Sequence, residues 1–127
     1  MKSLHQPAEG DFIFGLELIM DIHNCDPAVI TDADALRRFT AGLVERIKMQ
    51  AYGETWLHHF GHASALTAGF TAFQAIETSS IIVHVSEGPR RVHANIFSCR
   101  LFDCEDAMKF TEEFFGGTDT TYTILSR

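Results

Sequence analysis

Phe12, Phe14, Leu16, Leu18, Met20 and Ile22 fall on every second position, with Ile13 and Ile19 between them. A period of two belongs to an extended chain whose side chains alternate between faces, so residues 12–23 predict a strand. Asp26-Pro27 ends it. Thr31-Asp32-Ala33-Asp34 then has the form of a capping box, with Thr31 as N-cap. Leu36, Phe39, Leu43, Val44 and Ile47 follow at helical spacing and predict one amphipathic helix to about Tyr52, stopped by Gly53. Residues 55–61, 70–77, 80–87 and 92–102 read as strands, the last two joined at Gly88-Pro89. A second helix is expected from Asp103, with Ala107, Phe110 and Phe114 on one face and a stop at Gly116-Gly117. Residues 118–125 form a last β-rich segment. The order βα, ββββ, αβ predicts an α/β (α+β) fold: a two-layer sandwich, its antiparallel sheet packed on one face by two helices.

The length of 127 residues suits a single domain over 1–127. Hydrophobic residues at 46% and charged residues at 21% exclude a disordered or low-complexity chain. No apolar run approaches the ~20 residues that cross a bilayer. Residues 1–10 lack the apolar stretch of a secretion signal, so a cytoplasmic protein is expected, with no membrane partner. Ten Lys+Arg against seventeen Asp+Glu give a net charge of −7. That balance argues against a nucleic-acid partner and suits a small cationic ligand. Without an export signal, Cys25, Cys99 and Cys104 read as thiols.

Three groups of residues invite a chemical reading. His58 and His59 point to opposite faces of a strand, so with His62 they are poorly arranged for one metal, and no metal site is expected. Asp103, Glu105, Asp106, Glu112 and Glu113 lie at a helix N-terminus and on a helix face, where acids are stabilised or solvated. The stretch 71–99 holds Thr71, Thr78-Ser79-Ser80, His84 and Cys99. Hydroxyls, an imidazole and a thiol on neighbouring strands could form a Cys–His nucleophile pair, but structural residues in a hairpin are the first expectation from the residues alone.

Thr78-Ser79-Ser80-Ile81-Ile82-Val83-His84, followed by Asn95-Ile96-Phe97-Ser98-Cys99, resembles the processing region of the small prokaryotic S-adenosylmethionine decarboxylases. Those proteins carry Glu-Ser-His-Leu-Thr-Ile-His and then Asp-Leu-Phe-Thr-Cys. The spacings Ser79 to His84 and Ser79 to Cys99 match without a gap, Thr71 falls on the family's processing serine, and Cys25-Asp26 matches a Cys-Asp pair. The resemblance runs from about Gly15 to Phe115 at low identity. It implies a pyruvoyl-dependent decarboxylase of polyamine biosynthesis that makes its own cofactor. Ser79 would attack the Thr78 carbonyl, the chain would separate between 78 and 79, and a covalent pyruvoyl group would remain on the new N-terminus. By the same resemblance His84 supplies acid–base help and the Thr71 hydroxyl hydrogen-bonds the tetrahedral adduct. Cys99 reprotonates the substrate carbon after CO2 has left. A homodimer, each active site completed by its neighbour, is implied too.

The residue types suit these roles. A primary hydroxyl is needed for elimination, an imidazole titrates near neutrality, and a polar donor must face the oxyanion. Strict alternation puts Ser79 and His84 on opposite faces, so a bulge is expected near Ser79-Ser80. Several positions depart from the family. Thr78 and Ser80 replace a glutamate and a histidine, and Glu87 stands one place earlier than the acid after His84. Ala65-Leu66-Thr67-Ala68-Gly69 replaces Phe-Leu-Pro-Tyr-Gly, whose aromatic stacks on adenine. Loss of such a face removes about 1 kcal/mol or more. Phe12, Phe14, Phe60 or Phe70 could supply a replacement face from a neighbouring strand, so S-adenosylmethionine is still the first substrate expected. Ornithine or arginine is the alternative, and an unprocessed ligand-binding homologue is a reading from another class.

Overall fold

The computed structural model describes residue 10 and residues 12–127. The stretch read for a secretion signal lies, apart from Gly10, outside the described residues. Alternation carries β1 over Leu16–His23, later than its first periodic residue, because Phe12 and Phe14 stay exposed. Asn24, in the left-handed region, turns the chain out of the strand. Asp26 then caps a short helix, α1 (Pro27–Ile30), with proline in its first turn. Thr31 is not the N-cap expected of it: its hydroxyl donates to the Pro27 carbonyl, closing α1. Asp32 caps α2 (Ala33–Arg46) by accepting from Asp34 N.

The second helix stops six residues before Tyr52 for a backbone reason. Lys48 takes a positive φ, and residues 50–52 leave the helix to bond the sheet: Tyr52 N donates to Ala75 O and Glu77 N to Gln50 O. The remaining elements are β2 (Trp56–Phe60), β3 (Gly69–Ile76), β4 (Ser79–Ser86), β5 (Arg91–Ser98), α3 (Cys104–Phe115) and β6 (Thr118–Ser126). As expected, Asp103 caps α3 and Gly116 ends it in the left-handed conformation.

The six strands form one antiparallel sheet in the order β2-β3-β4-β5-β1-β6. Three helices rather than two cover one face. Leu18, Ile22, Val83 and Ile96 of the sheet meet Phe39 and Phe115 of the helices in a continuous core. The other face is open. It presents Glu17, Ile19 and Asp21 from β1, Trp56 and Phe60 from β2, Thr71 and Phe73 from β3, Ile82 and His84 from β4, and His93, Asn95 and Phe97 from β5. Among the described residues, no helix is long and apolar enough to cross a membrane.

Candidate active site

A two-residue turn, Glu77-Thr78, joins β3 to β4, since Ile76 and Ser79 are paired across it. Ser79 is therefore the first residue out of the turn, and the Thr78–Ser79 peptide bond lies at its exit. The Thr78 carbonyl accepts the Cys99 backbone N–H at 3.1 Å. The Thr78 hydroxyl lies 2.7 Å from that of Ser98, which is fully buried, and both approach the Met49 sulfur. Ser98 also accepts from Arg100 N at 3.0 Å, which bends the chain at Cys99 and ends β5 there. The Cys99 thiol is exposed just past the strand. Gly15 packs its backbone against this bend; a Cβ there would meet the Ser98 carbonyl at 2.6 Å.

Thr71 and His84 are register partners on β3 and β4, and their side chains bond directly, Oγ1 to Nδ1 at 2.7 Å. His84 Nε2 lies 3.1 Å from the Thr67 carbonyl. A carbonyl only accepts, so Nε2 carries a proton, and in the neutral ring Nδ1 receives the Thr71 hydroxyl. Neither nitrogen is directed at Ser79. The bulge expected near Ser79-Ser80 is absent: the β3–β4 register runs unbroken from Ile76/Ser79 to Thr71/His84, as does the β4–β5 register. Ser79 and His84 thus lie five residues apart on one straight strand, about 16 Å at ~3.3 Å per residue, on opposite faces. The four expected residues fall into two pairs, Ser79 with Cys99 at one end of the sheet and Thr71 with His84 towards the other.

Sequence reasoning passed over an Asp–His pair beside His84. His93 is the β5 neighbour of His84 and bonds Asp21 of β1, Nδ1 to Oδ1, at 2.8 Å. Arg91 approaches the same carboxylate at 4.0 Å, while its Nε is buried without a partner among the described residues. Nearby, Asn95 donates to Glu17 at 2.7 Å and Arg127 reaches Glu17 at 3.2 Å while covering the Phe97 ring. A shallow depression of about 270 Å³ lies over Ile19, Asp21, Ile82, His84, His93, Ala94 and Asn95. Period-two alternation in residues 16–23 already puts Glu17 and Asp21 on one face. Only the register joins them to β5.

His58 and His59 face opposite ways, as expected, but His59 is engaged from both sides. Its Nε2 lies 2.7 Å from Glu87 and its Nδ1 2.6 Å from His62 Nε2. The nitrogens of the two rings point at each other rather than at a common centre, and among the described residues no three metal-ligating side chains converge. Asp103 and Asp106 serve the fold: Asp103 accepts from Asp106 N, and Asp106 holds Arg46 through two bonds of 2.8 and 2.9 Å. That arginine keeps the Asp106 carboxyl below the usual carboxylate range. Burial pushes the Cys25 and Cys104 thiols up to about 11.

The S-adenosylmethionine decarboxylase family model matches residues 16–127. No curated protein matches the chain. Among solved structures, the crystal structure of the adenosylmethionine decarboxylase from Aquifex aeolicus VF5 superposes with a TM-score of 0.76 at 16% identity, over 91% of each chain. At that identity the likeness establishes a shared fold, six antiparallel strands with helices on one face, and the family match extends it to descent. The chain belongs to the S-adenosylmethionine decarboxylase family.

Proposed function

We propose that this protein is a self-processing, pyruvoyl-dependent decarboxylase whose substrate is S-adenosylmethionine, acting in the cytoplasm at the entry to polyamine biosynthesis. The observation that carries the proposal is the Thr78 carbonyl held by the Cys99 N–H at 3.1 Å, in the turn that ends at Ser79. That donor is aimed where negative charge develops if the Ser79 hydroxyl adds to the carbonyl. One oriented donor of this kind stabilises an oxyanion by about 3 kcal/mol. The chain's residues therefore fit a pyruvoyl group derived from Ser79.

Processing balances as follows. The Ser79 Oγ–carbon bond forms, the Thr78–Ser79 peptide bond breaks, and the Ser79 amine is freed. Loss of the α-proton expels the Thr78 carboxylate, and water then displaces the nitrogen as ammonia. When present, the keto group so formed supplies an electrophile and an electron sink at the substrate's α-carbon. The exposed Cys99 thiol, one residue beyond the row of Ser79, donates the proton that replaces CO2.

His84 is too far along β4 to serve the Ser79 of its own chain. We take the Thr71–His84 pair that acts there to come from a second copy packed on the open face, reaching the partner's Thr78–Ser79 turn past the end of its sheet, since Ser79 itself points to the helix-covered face. Exposed Ile19, Trp56, Phe60, Phe73 and Ile82 give that face the apolar character such a contact needs. The Thr71 hydroxyl then meets the adduct and His84 Nδ1 takes its proton. A homodimer follows as the active unit.

The absence of an aromatic near Ala65-Ala68 favours a second reading, in which ornithine or arginine is the substrate. The −7 charge suits either, since all three candidates are cations. Release of CO2 from carboxyl-labelled S-adenosylmethionine, ornithine and arginine, measured side by side, separates them. We expect release from S-adenosylmethionine. Release from ornithine or arginine alone would replace the substrate, and release from none would refute decarboxylation of any of these.

A further inference from the structure

Residues 61–68 form a loop with its own internal bonding. Thr67 donates its hydroxyl to the Gly61 carbonyl at 2.7 Å, and Thr67 N and Ala68 N both donate to Ser64 O at 3.1 Å. Gly61, with a positive φ, leaves no room for a Cβ beside the Thr67 carbonyl, 2.5 Å away. The loop is a preformed unit, so what matters is how it is seated on the sheet. Its far end is pinned by Glu87 N donating to Ala68 O at 3.0 Å. Its near end is pinned through side chains. His62, in the loop, meets His59 of β2, and His59 meets Glu87 just past β4. Phe70 of β3 stands edge-on to the His59 ring, centroids 4.8 Å apart, and holds its plane. Seated this way, the loop delivers the Thr67 carbonyl to His84 Nε2.

The proton positions follow from the acceptors. The Glu87 carboxylate only accepts, so His59 Nε2 carries a proton, its Nδ1 is a lone pair when the ring is neutral, and His62 Nε2 donates to it. We infer that His59, braced by Glu87, is a positioning residue for His84: it seats loop 61–68 so that the Thr67 carbonyl holds His84 as the Nε2–H tautomer, with Nδ1 kept for the Thr71 hydroxyl. Fixing a tautomer through the hydrogen bond made by the other nitrogen is a general device for histidine. The inference rests on the reading of His84 as the acid–base group, but its main readout does not require turnover.

Long-range proton–nitrogen spectra of the histidine rings at neutral pH test it, on the whole protein and on His59→Ala and His59→Gln. The wild type should show His84 purely as Nε2–H. In His59→Ala that signature should give way to a mixture of tautomers, with self-cleavage slowed about tenfold, a modest part of what acid–base help supplies. His59→Gln should recover most of the pure signature, since its amide donates to Glu87 and accepts from His62. A merely structural His59 would lower the melting temperature without moving the His84 ring signals. An unchanged Nε2–H signature in natively folded His59→Ala overturns the inference. So does His59→Gln that is natively folded but no better than a folded His59→Ala; if His59→Ala does not fold, a mixed signature in folded His59→Gln overturns it. If the wild type never cleaves, the proposed function fails, while the ring spectra still decide this point.

Discussion

At the scale of single residues, the geometry separates two roles. The Thr78 carbonyl is held by the backbone N–H of residue 99, which any side chain there retains. Cys99→Ala should therefore cleave at close to the wild-type rate yet lose about a hundredfold or more in turnover, as expected when a positioned acid is removed. His84→Ala should slow cleavage itself by a similar factor. Cleavage time courses on denaturing gels, with CO2 release from the cleaved protein, check both; the reverse pattern would invalidate the assignment. The three thiols should differ sharply as well. Cys99 is exposed, while burial raises Cys25 and Cys104 to about 11, so at pH 8 one thiol per native chain should react rapidly with a disulfide reagent and the other two only after unfolding. Because those two thiols are held neutral in the fold, their contribution to stability is complete below about pH 9 and is lost as pH rises from 9 towards 11. In the sequence, the resemblance to the family's processing region is what picks out Ser79, His84 and Cys99. It does not show that His84 bonds Thr71, or that His93 bonds Asp21, because cross-strand register is not written in any one strand.

At the scale of elements, the sequence was legible wherever periodicity was left undisturbed. β3, β4 and α3 fall within one residue of their expected bounds because alternation, the Asp103 cap and Gly116 all agree. The expectations that failed did so where local and tertiary bonding compete. Thr31 and Asp32 are adjacent potential caps, and the extra helix α1 takes the first of them. Residues 50–52 could extend α2 but find carbonyl and amide partners at the end of β3 instead. One glycine carries a clear structural demand. A Cβ on Gly69, at the start of β3, would lie 1.8 Å from the Val85 carbonyl, a contact with backbone that only a shift of β3 or β4 relieves. Gly69→Ala should cost about 2–3 kcal/mol in denaturant unfolding, within the range of overpacking in a well-packed site. A loss below about 0.5 kcal/mol would mean that the β3–β4 approach is looser than described.

At the scale of the whole molecule, the decisive feature is an open sheet face that carries the Thr71–His84 pair, while Ser79 lies about 16 Å away along β4 and on the other face. The strict alternation that opposes Ser79 to His84 was visible in the sequence, yet it suggested a bulge, because a single chain offers no other way to bring them together. The straight β4 moves the solution to a second copy. Ser79→Ala and His84→Ala, each uncleaved or slowly cleaved alone, should complement when coexpressed: the His84→Ala chain keeps Ser79 and borrows a histidine from its partner. Cleavage of that chain only in the mixture supports sites shared between protomers, and no cleavage in a mixed dimer of confirmed composition contradicts them. Conversion of Ser79 into the cofactor would be read from the intact mass of the purified protein. We predict two fragments, residues 1–78 and residues 79–127, the second lighter than its unmodified sequence by the exchange of the Ser79 amine and hydroxyl for a pyruvoyl group. A single species near 14.2 kDa after prolonged incubation at neutral pH would show that Ser79 is not a cofactor precursor.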